Sequence, residues 1–268
     1  MMKERNAPDR TTGLLDRPLS TRSVIASLLL GMRPPKLAAR RLVQWCALFD
    51  INEGTARTAL SRMVERGDLT AVDGVYELAG RVRRRQPAQD WSLAPELGSW
   101  NGEWLLGVVS SAARSADDRS ALRDAVRRLR MAELREGVWA RPDNLPRGAA
   151  PVDAWKAVDA QCEWWRSRPD TDAVALADRL FSPAAWAARA RVLTDGLEAS
   201  TPALDPESGE RLADAFVVGA AALAHVRSDP LLPAELCGPD WPGAALRTAY
   251  LEYQSAFAAA TRAWFQSI

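Results

Sequence analysis

The sequence predicts an α+β protein in three parts: a helical N-terminal part that ends in a β-hairpin, a middle part of strands and helices, and a helical C-terminal part. Three observations support this class. Amphipathic helical segments and a hairpin signal lie within residues 20–85, an apolar run of strand length begins at Trp104, and a long apolar stripe with helical spacing ends the chain. The 268 residues suffice for two or three domains.

Composition and charge divide the chain further. The expected segments are a disordered N-terminus (1–19), a first domain (20–85), a linker (86–98), a second domain (99–181) and a C-terminal helical domain (182–268). Residues 1–90 carry 16 Lys or Arg against 10 Asp or Glu, whereas the rest of the chain carries 19 against 24. This basic N-terminal third predicts an anionic partner for the first domain.

The first domain opens with three helical segments. Two are expected over residues 21–32, where the Arg33-Pro34-Pro35 run ends the helix, and over residues 38–50. The third is expected over residues 52–67, with Asn52 as its N-cap and Gly67 at its end. Its apolar stripe consists of Ala56, Ala59, Leu60, Met63 and Val64. We expect the apolar faces of these helices to form a small core of their own.

The outward face of the third helix is small and cationic. It presents Thr55, Arg57, Thr58, Ser61 and Arg62, and no carboxylate is expected on it before Glu65. A merely solvated helix usually mixes acids with its bases, so this face is expected to contact an anion. Arginine can bond guanine edges or phosphates, and Ser or Thr can bond either.

A β-hairpin is expected directly after this helix, because DLTAV and VYEL flank the turn signal Asp73-Gly74. Three helices followed by a hairpin are typical of a winged helix-turn-helix, whose third helix enters the major groove of DNA. The cationic run RVRRR (81–85) then follows and is suited to phosphate contact. The candidate DNA-binding residues are Thr55, Arg57, Thr58, Ser61, Arg62, Arg81, Arg83 and Arg84. The alternatives are a protein-binding helical module with solvated arginines and, for RVRRR, a solvated linker.

The middle of the chain reads as strand, helix and strand. WLLGVVS (104–110) has strand length, a helix follows from the capping box of Ser115 and Asp118 to just before Gly137, and VWAR forms a second strand. A further helix is expected to start at Ser182-Pro183. This order predicts a small ferredoxin-like α+β domain.

The last helix carries the longest apolar stripe. Asp240 is a possible cap, and the stripe consists of Leu246, Ala249, Tyr250, Tyr253, Phe257, Ala260 and Trp264. Such a stripe is covered either by its own domain or by a second subunit. Self-covering is the commoner case, whereas the two-fold operators of many regulators favour a homodimer formed through this helix.

Several classes of function lack the residues they need. The N-terminus has no apolar core, so it is not a signal peptide, and the apolar run 215–226 is too short to cross a membrane. The three cysteines lie far apart in sequence, which fits reduced thiols. Together with the missing signal peptide, they predict a cytoplasmic protein. The single histidine, His225, leaves little material for zinc or for a Ser-His-Asp triad. We therefore expect no catalytic residue, metal ligand or cofactor.

Aromatic and cationic residues beyond residue 90 are compatible with a ligand pocket in that part of the chain. Ten of the eleven tryptophans lie there. A pocket for an aryl group would use such rings, and Arg141, Arg166 or Arg168 would suit anionic phosphates. The default role of any one tryptophan is core packing, so none is singled out.

Three stretches resemble one family. Residues 20–85, with INEGTARTALSRMVERGDLT at their centre, resemble the N-terminal domain of the PaaX-type transcriptional regulators, which are bacterial repressors of phenylacetate and related aromatic-acid catabolism. The stretch EGVWARPDNL (136–145) resembles the family's Gly-Val-Trp-x-Arg-Pro-x-Asn-Leu strand. The stretch SDPLLPAELCGPDWPG (228–243) resembles the family's signature, which contains Asp-Pro and Asp-Trp-Pro-Gly. Family members often show a His-aromatic-Arg run where this chain has the apolar AFVVGAAALAHV (215–226), and residues 146–212 match only loosely.

The resemblance implies a homodimeric repressor that binds double-stranded operator DNA and releases it when an aryl-acyl-CoA, such as phenylacetyl-CoA, binds the body. It also implies a middle domain similar to the CRISPR-associated nucleases of spacer acquisition. A metal-dependent nuclease is therefore one alternative, and a protein-interaction module without DNA affinity is another. Such nucleases need an acidic residue after the first strand to hold the metal. Here the strand runs into Ser110-Ser111-Ala112, and Asp117 and Asp118 are expected to complement a helix N-terminus.

Overall fold

The computed structural model shows a mixed α+β chain with two small antiparallel sheets and a helical C-terminal region. It describes residues 13–14, 19–83, 85–111, 114–149 and 151–268, so most of the expected disordered N-terminus lies outside the described residues. Contacts divide the chain into two units. The first comprises Met1–Gln89, Val192–Ala224 and Leu246–Ile268, and the second comprises Asp90–Arg191 and His225–Ala245.

The elements follow one another in this order: α1 (Thr21–Leu30), β1 (Lys36–Ala38), α2 (Ala39–Ala47), α3 (Glu53–Glu65), β2 (Leu69–Val72), β3 (Val75–Leu78), α4 (Gly80–Arg83), α5 (Arg85–Leu93), β4 (Trp104–Val109), α6 (Ala116–Arg128), β5 (Ala132–Arg135), β6 (Val138–Pro142), α7 (Val152–Asp159), β7 (Cys162–Ser167), α8 (Ala173–Phe181), α9 (Pro183–Ser200), α10 (Gly209–Val226), α11 (Ala234–Cys237) and α12 (Gly243–Ser267). The three N-terminal helices, the hairpin and the helix start at Pro183 all form where the sequence predicts them. Helix α5 occupies most of the segment expected as a linker.

Local signals explain the α3 boundaries and the hairpin. The Asn52 side chain accepts a hydrogen bond from the Thr55 N–H at 2.8 Å, which caps the helix as predicted. Gly67 ends it in a left-handed conformation with φ of 69°. Asp73 and Gly74 both have positive φ, 49° and 73°, which is the backbone of a type I′ hairpin turn.

Strand β1 is absent from the sequence prediction. It pairs antiparallel with β3, so the first sheet has the order β1-β3-β2. The strand has only three residues, from Lys36 to Ala38, and it follows directly on Pro34-Pro35. Such a short segment has no measurable alternation, so only its partner strand defines it.

The core of the first unit is shared between the N-terminal helices and the C-terminal helices. Trp45 of α2 has no exposed surface, and its ring centroid lies 5.5 Å from that of Phe216 in α10 and 5.9 Å from that of Trp264 in α12. The expectation that the N-terminal helices form a core of their own is therefore wrong. Their apolar faces are too large for three short helices to cover, and α10 and α12 complete the core.

The apolar stripe of α12 is covered by its own chain. Every residue of the stripe is buried except Phe257, which is partly buried and packs on the same core. The Tyr253 hydroxyl donates to the Ala215 carbonyl oxygen at 2.8 Å. At Gly219 of α10, an added Cβ would lie 2.4 Å from the Tyr253 ring, so only glycine permits this close helix contact. The stripe is internal core, and a dimer formed through it is excluded.

The two buried tyrosines of α12 predict an alkaline loss of stability. Burial raises the pKa of the Tyr250 and Tyr253 phenols above the ordinary value of about 10. Above that pH the unfolded chain releases phenol protons that the folded chain retains, so the free energy of unfolding falls as the pH rises. The Tyr250→Phe variant has no such proton at this position. Its thermal midpoint is expected to decline less than that of the wild type between about pH 9 and 11; equal declines would contradict the assignment.

The second unit is built on a four-stranded antiparallel sheet with the order β5-β6-β4-β7. Its chain order is strand β4, helix α6, strands β5 and β6, helix α7 and strand β7. Neighbouring residues of β4 lie on opposite faces of the sheet. Leu105 packs with the core of α6 and α7, whereas Trp104 packs with α8 and α11.

The helix after β4 is shorter than the sequence predicts. We expected it to reach nearly to Gly137, but α6 ends at Arg128, and Arg130 adopts a left-handed conformation with φ of 58°. Residues 132–135 then pair with β6 as strand β5. Ala, Glu, Leu and Arg are good helix formers, so here tertiary strand pairing overrides local propensity. Gly137 instead lies between β5 and β6, with φ of 76°.

Candidate nucleic-acid interface

The outward face of α3 is exposed as the sequence predicts. Ala56, Leu60 and Met63 pack inward with at most 1% of their surface exposed. On the opposite side, the candidate residues are all exposed: Thr55, Arg57, Thr58, Ser61 and Arg62. The structure therefore places these five side chains on one accessible surface of the first unit.

Two interactions on this face were missed by the sequence analysis. Glu53 accepts a hydrogen bond from Arg57 Nε at 2.7 Å, so a carboxylate does belong to this surface. The i,i+4 spacing was the available signal. The Thr58 hydroxyl donates to the Gly54 carbonyl oxygen at 2.8 Å, so its proton is committed to the helix backbone. Because Arg57 donates through Nε, its two terminal nitrogens remain available for a partner.

A partly buried ion pair lies at the junction between α3 and the hairpin. Asp68 is 6% exposed and accepts from Arg22 Nε at 3.0 Å, while its backbone bonds both Met63 and Ala79. Gly80 closes the same junction with φ of 51°, and an added Cβ would lie 2.4 Å from the Gly67 carbonyl oxygen. These contacts fix the hairpin relative to α3.

The cationic run after the hairpin is only partly described. Arg83 is exposed and pairs with Glu77 of β3 at 2.9 Å. The side chain of Arg81 and the whole of Arg84 lie outside what the structure describes. Lys36 of β1, which the sequence analysis did not single out, faces Glu77 across the sheet and is exposed.

The arginines proposed for a phosphate site in the second unit are engaged elsewhere. Arg141 has no exposed surface and donates to the carbonyl oxygens of Leu129 and Pro142 and to Asn144 Oδ1. Burial away from water, with Arg130 as a further cause, lowers the pKa of the Arg141 guanidinium to about 9. Arg141 is therefore a charged, interior structural residue and not a ligand contact.

Arg166 and Arg168 are exposed but partnered. Arg166 pairs with Asp143 of the loop after β6, and the Arg168 guanidinium donates to the Asn101 carbonyl oxygen at 2.7 Å. The bond and charge of Asp143 raise the pKa of Arg166. Both side chains thus tie neighbouring segments of the second unit together.

Tryptophan rings and a cleft lie near the segment 228–243 in the second unit. Trp186 stacks with both His225 and Trp241, with centroid separations of 4.5 Å and 4.7 Å. A cleft of about 580 Å³ beside this stack is lined by residues of α8, α9 and the segment 235–241, including Arg191, Cys237 and Trp241.

Of the two aspartates after β4, Asp118 forms part of a helix cap, and Asp117 lies in the first turn of the same helix. Asp118 Oδ2 accepts from the Ser115 N–H at 3.0 Å, and the Asp118 N–H donates to Ser115 Oγ, which completes the predicted capping box. The bonds from Ser115 hold the pKa of the Asp118 carboxyl below its usual range. Among the described parts of the chain, no three His, Cys, Asp or Glu side chains form a group that could hold a metal ion.

Comparison with known proteins identifies the class of the chain. The sequence model of the PaaX-like protein matches residues 20–82, and that of the PaaX-like protein C-terminal domain matches residues 184–267. A solved structure, the uncharacterized protein Rv0674 from Mycobacterium tuberculosis, is 37% identical over 92% of this chain and 100% of its own, with a TM-score of 0.68. No curated protein matches the chain.

These matches assign the chain to a class of transcription regulators. More narrowly, the chain belongs to the PaaX-like family, as the three resembling stretches of its sequence predicted. In the described residues, no helix is both long and apolar enough to span a membrane.

Proposed function

We propose that the chain is a cytoplasmic, sequence-specific DNA-binding repressor of aromatic-acid catabolism. The observation that carries this proposal is the exposed face of α3, which lies on a module with the element order α1-β1-α2-α3-β2-β3. This is the order of a winged helix-turn-helix, in which α3 is the recognition helix and the β2–β3 hairpin is the wing.

Roles follow for the candidate residues. Arg57 and Arg62 read base edges from the two sides of the α3 face, and Thr55 and Ser61 contact bases or phosphates between them. Thr58, whose proton is bonded to the Gly54 carbonyl oxygen, contacts bases as an acceptor or through its methyl group. Arg81, Arg83 and Arg84 contact the phosphate backbone beyond the wing. The split between specific and backbone contacts makes the proposal testable one residue at a time.

The second unit is proposed to carry regulation. Its β-α-β-β-α-β order with the sheet β5-β6-β4-β7 supports a ferredoxin-like domain. The cleft beside Trp241 has an aromatic ring and, in Arg191, a cation on its walls, which suits an aryl-acyl-CoA such as phenylacetyl-CoA. A homodimer is proposed to match a two-fold operator, through a surface other than the buried stripe of α12.

The experiment begins with a random-sequence duplex pool, from which the full-length chain is expected to enrich a pseudo-palindromic sequence. Phenylacetyl-CoA should lower the affinity for the enriched duplex, because a ligand shifts binding only through different affinities for two states. Incubation with Mg²⁺ or Mn²⁺ should leave the duplex intact. Failure to enrich any sequence supports the protein-interaction alternative, and metal-dependent cleavage supports the nuclease alternative.

The Arg57→Ala/Arg62→Ala double variant tests base reading. Each arginine that forks onto a guanine contributes about 1–3 kcal/mol of discrimination, so affinity for the enriched duplex should fall strongly while affinity for unrelated duplexes falls less. Arg119→Ala/Arg123→Ala, which removes the same charge from the exposed face of α6, is the matched control. Equal effects of the two double variants, measured by fluorescence anisotropy, would contradict the assignment.

A further inference from the structure

Gly54, in the first turn of α3, has no explanation within the fold. Its backbone is helical, unlike the glycines at 67, 74 and 80, whose φ is positive. An added Cβ would meet only Asn52 Oδ1, at an ordinary contact distance of 3.5 Å. Gly219, by contrast, is required because Tyr253 lies 2.4 Å away. Alanine would fit at position 54 and would favour the helix.

The position of Gly54 points outward. It precedes Thr58 and Ser61 by four and seven residues, so the three lie along the centre of the exposed face, opposite the buried Ala56 and Leu60. Glu65 continues the same line at the other end of the helix, where its carboxylate would repel phosphates, whereas the Glu53 carboxylate in the first turn is paired with Arg57. The N-terminal half of α3 is therefore the half suited to approach DNA, and a missing side chain there lets the backbone come closer.

The ion pair between Glu53 and Arg57, beside Gly54, orients the Arg57 side chain. Glu53 and Arg57 side chains are 61% and 59% exposed, so their bond contributes little to stability. The geometry of this bond is more informative: Glu53 accepts from Arg57 Nε at 2.7 Å, and no bond to the terminal nitrogens of Arg57 is found within the described part of the chain. Those two nitrogens are the pair that can fork onto the O6 and N7 atoms of one guanine.

We infer that Gly54 marks the closest approach of α3 to the bases, and that Glu53 is a positioning residue that orients the Arg57 guanidinium over the adjacent base pair. The inference rests on the proposed DNA-binding function. It places the closest approach to the bases at the N-terminal end of α3 and adds Gly54 and Glu53 to the interface.

Gly54→Ala tests the approach. The probe is the duplex that the wild-type, full-length chain enriches from the random-sequence pool. The variant should unfold at the same temperature as the wild type or higher, yet bind this duplex roughly tenfold or more weakly, because the methyl group occupies space that the DNA needs. Gly196→Ala is the matched control: Gly196 lies in α9, and its added Cβ would meet Val218 at an ordinary 3.5 Å. It should leave binding unchanged.

Glu53 variants test the positioning role through base preference. Glu53→Ala should broaden the preference at one base pair of the enriched sequence, whereas Glu53→Gln, which keeps an oxygen acceptor for Arg57 Nε, should retain it. Unchanged preference in Glu53→Ala would refute the role of Glu53.

The outcomes separate this inference from the proposed function. A wild-type chain that enriches no sequence overturns both. If the wild-type chain does enrich a sequence, two results overturn the inference about Gly54 alone. One is that Gly54→Ala binds this duplex as tightly as the wild type, and the other is that Gly54→Ala unfolds at a lower temperature.

Discussion

Deletion of residues 246–268 is expected to unfold the N-terminal helices, although they lie some 200 residues away in sequence. These C-terminal residues supply Phe257, Trp264 and Phe265 to the core around Trp45, which has no exposed surface. Their loss exposes several aromatic side chains at once, and truncation of even one such side chain typically costs about 3–5 kcal/mol. We expect the amides of α1, α2 and α3 to lose their protection in hydrogen exchange. We expect the truncated chain to lose DNA binding as well.

A shorter deletion is the control for this result. Removing only Gln266, Ser267 and Ile268 takes away exposed residues and two side-chain hydrogen bonds. Arg40 donates to the Ile268 carbonyl oxygen at 3.3 Å, and the Ser267 hydroxyl donates to the Trp264 carbonyl oxygen at 2.8 Å. Protection in α1 to α3 should then be retained. Protected amides in these helices after the longer deletion would show that the N-terminal module folds without α12.

Arg141→Leu is expected to destabilise the second unit strongly. The guanidinium satisfies the carbonyl oxygens of Leu129 and Pro142 and the Asn144 side chain, whose amide in turn donates to the Leu231 carbonyl oxygen at 3.0 Å. Each buried acceptor left without a donor costs about 1–3 kcal/mol, so we expect the free energy of unfolding to fall by about 3 kcal/mol or more. Urea denaturation followed by tryptophan fluorescence measures it, since most tryptophans lie in this unit.

Arg166→Leu is the matched control, because it makes the same change on the neighbouring part of the sheet. Arg166 is 60% exposed, and its pair with Asp143 is expected to contribute at most about 1 kcal/mol. If Arg141→Leu is no less stable than Arg166→Leu, then the buried network does not hold the second unit together.

The α3 face shows how far local sequence reasoning reaches into the candidate site. The cap at Asn52, the end at Gly67 and the exposure of Arg57 and Arg62 follow from residues within one or two helical turns, and all are found. The pairing of Glu53 with Arg57 was equally local and was overlooked. The roles of these residues toward DNA remain predictions.

The interior of the molecule was harder to predict. Arg141 belongs to a stretch that resembles the family, and as an isolated arginine it suited a ligand phosphate. Its burial depends on the loop at Leu129 and the side chain of Asn144, which no periodicity connects to it. Likewise, residues 132–135 favour a helix locally and become strand β5 because β6 offers a partner.

By itself, the sequence determined the helices and hairpin of the N-terminal module, the small cationic face of α3 and membership of the PaaX-like family. Caps, turns and amphipathic faces depend on residues a few positions apart, so the chain records them directly. Only the tertiary structure decided that the stripe of α12 completes the core around Trp45 and does not form a dimer interface. It also decided that Arg141 is buried in the interior of the second unit. An apolar stripe specifies that something must cover it, but which surface covers it depends on contacts between residues far apart in the chain.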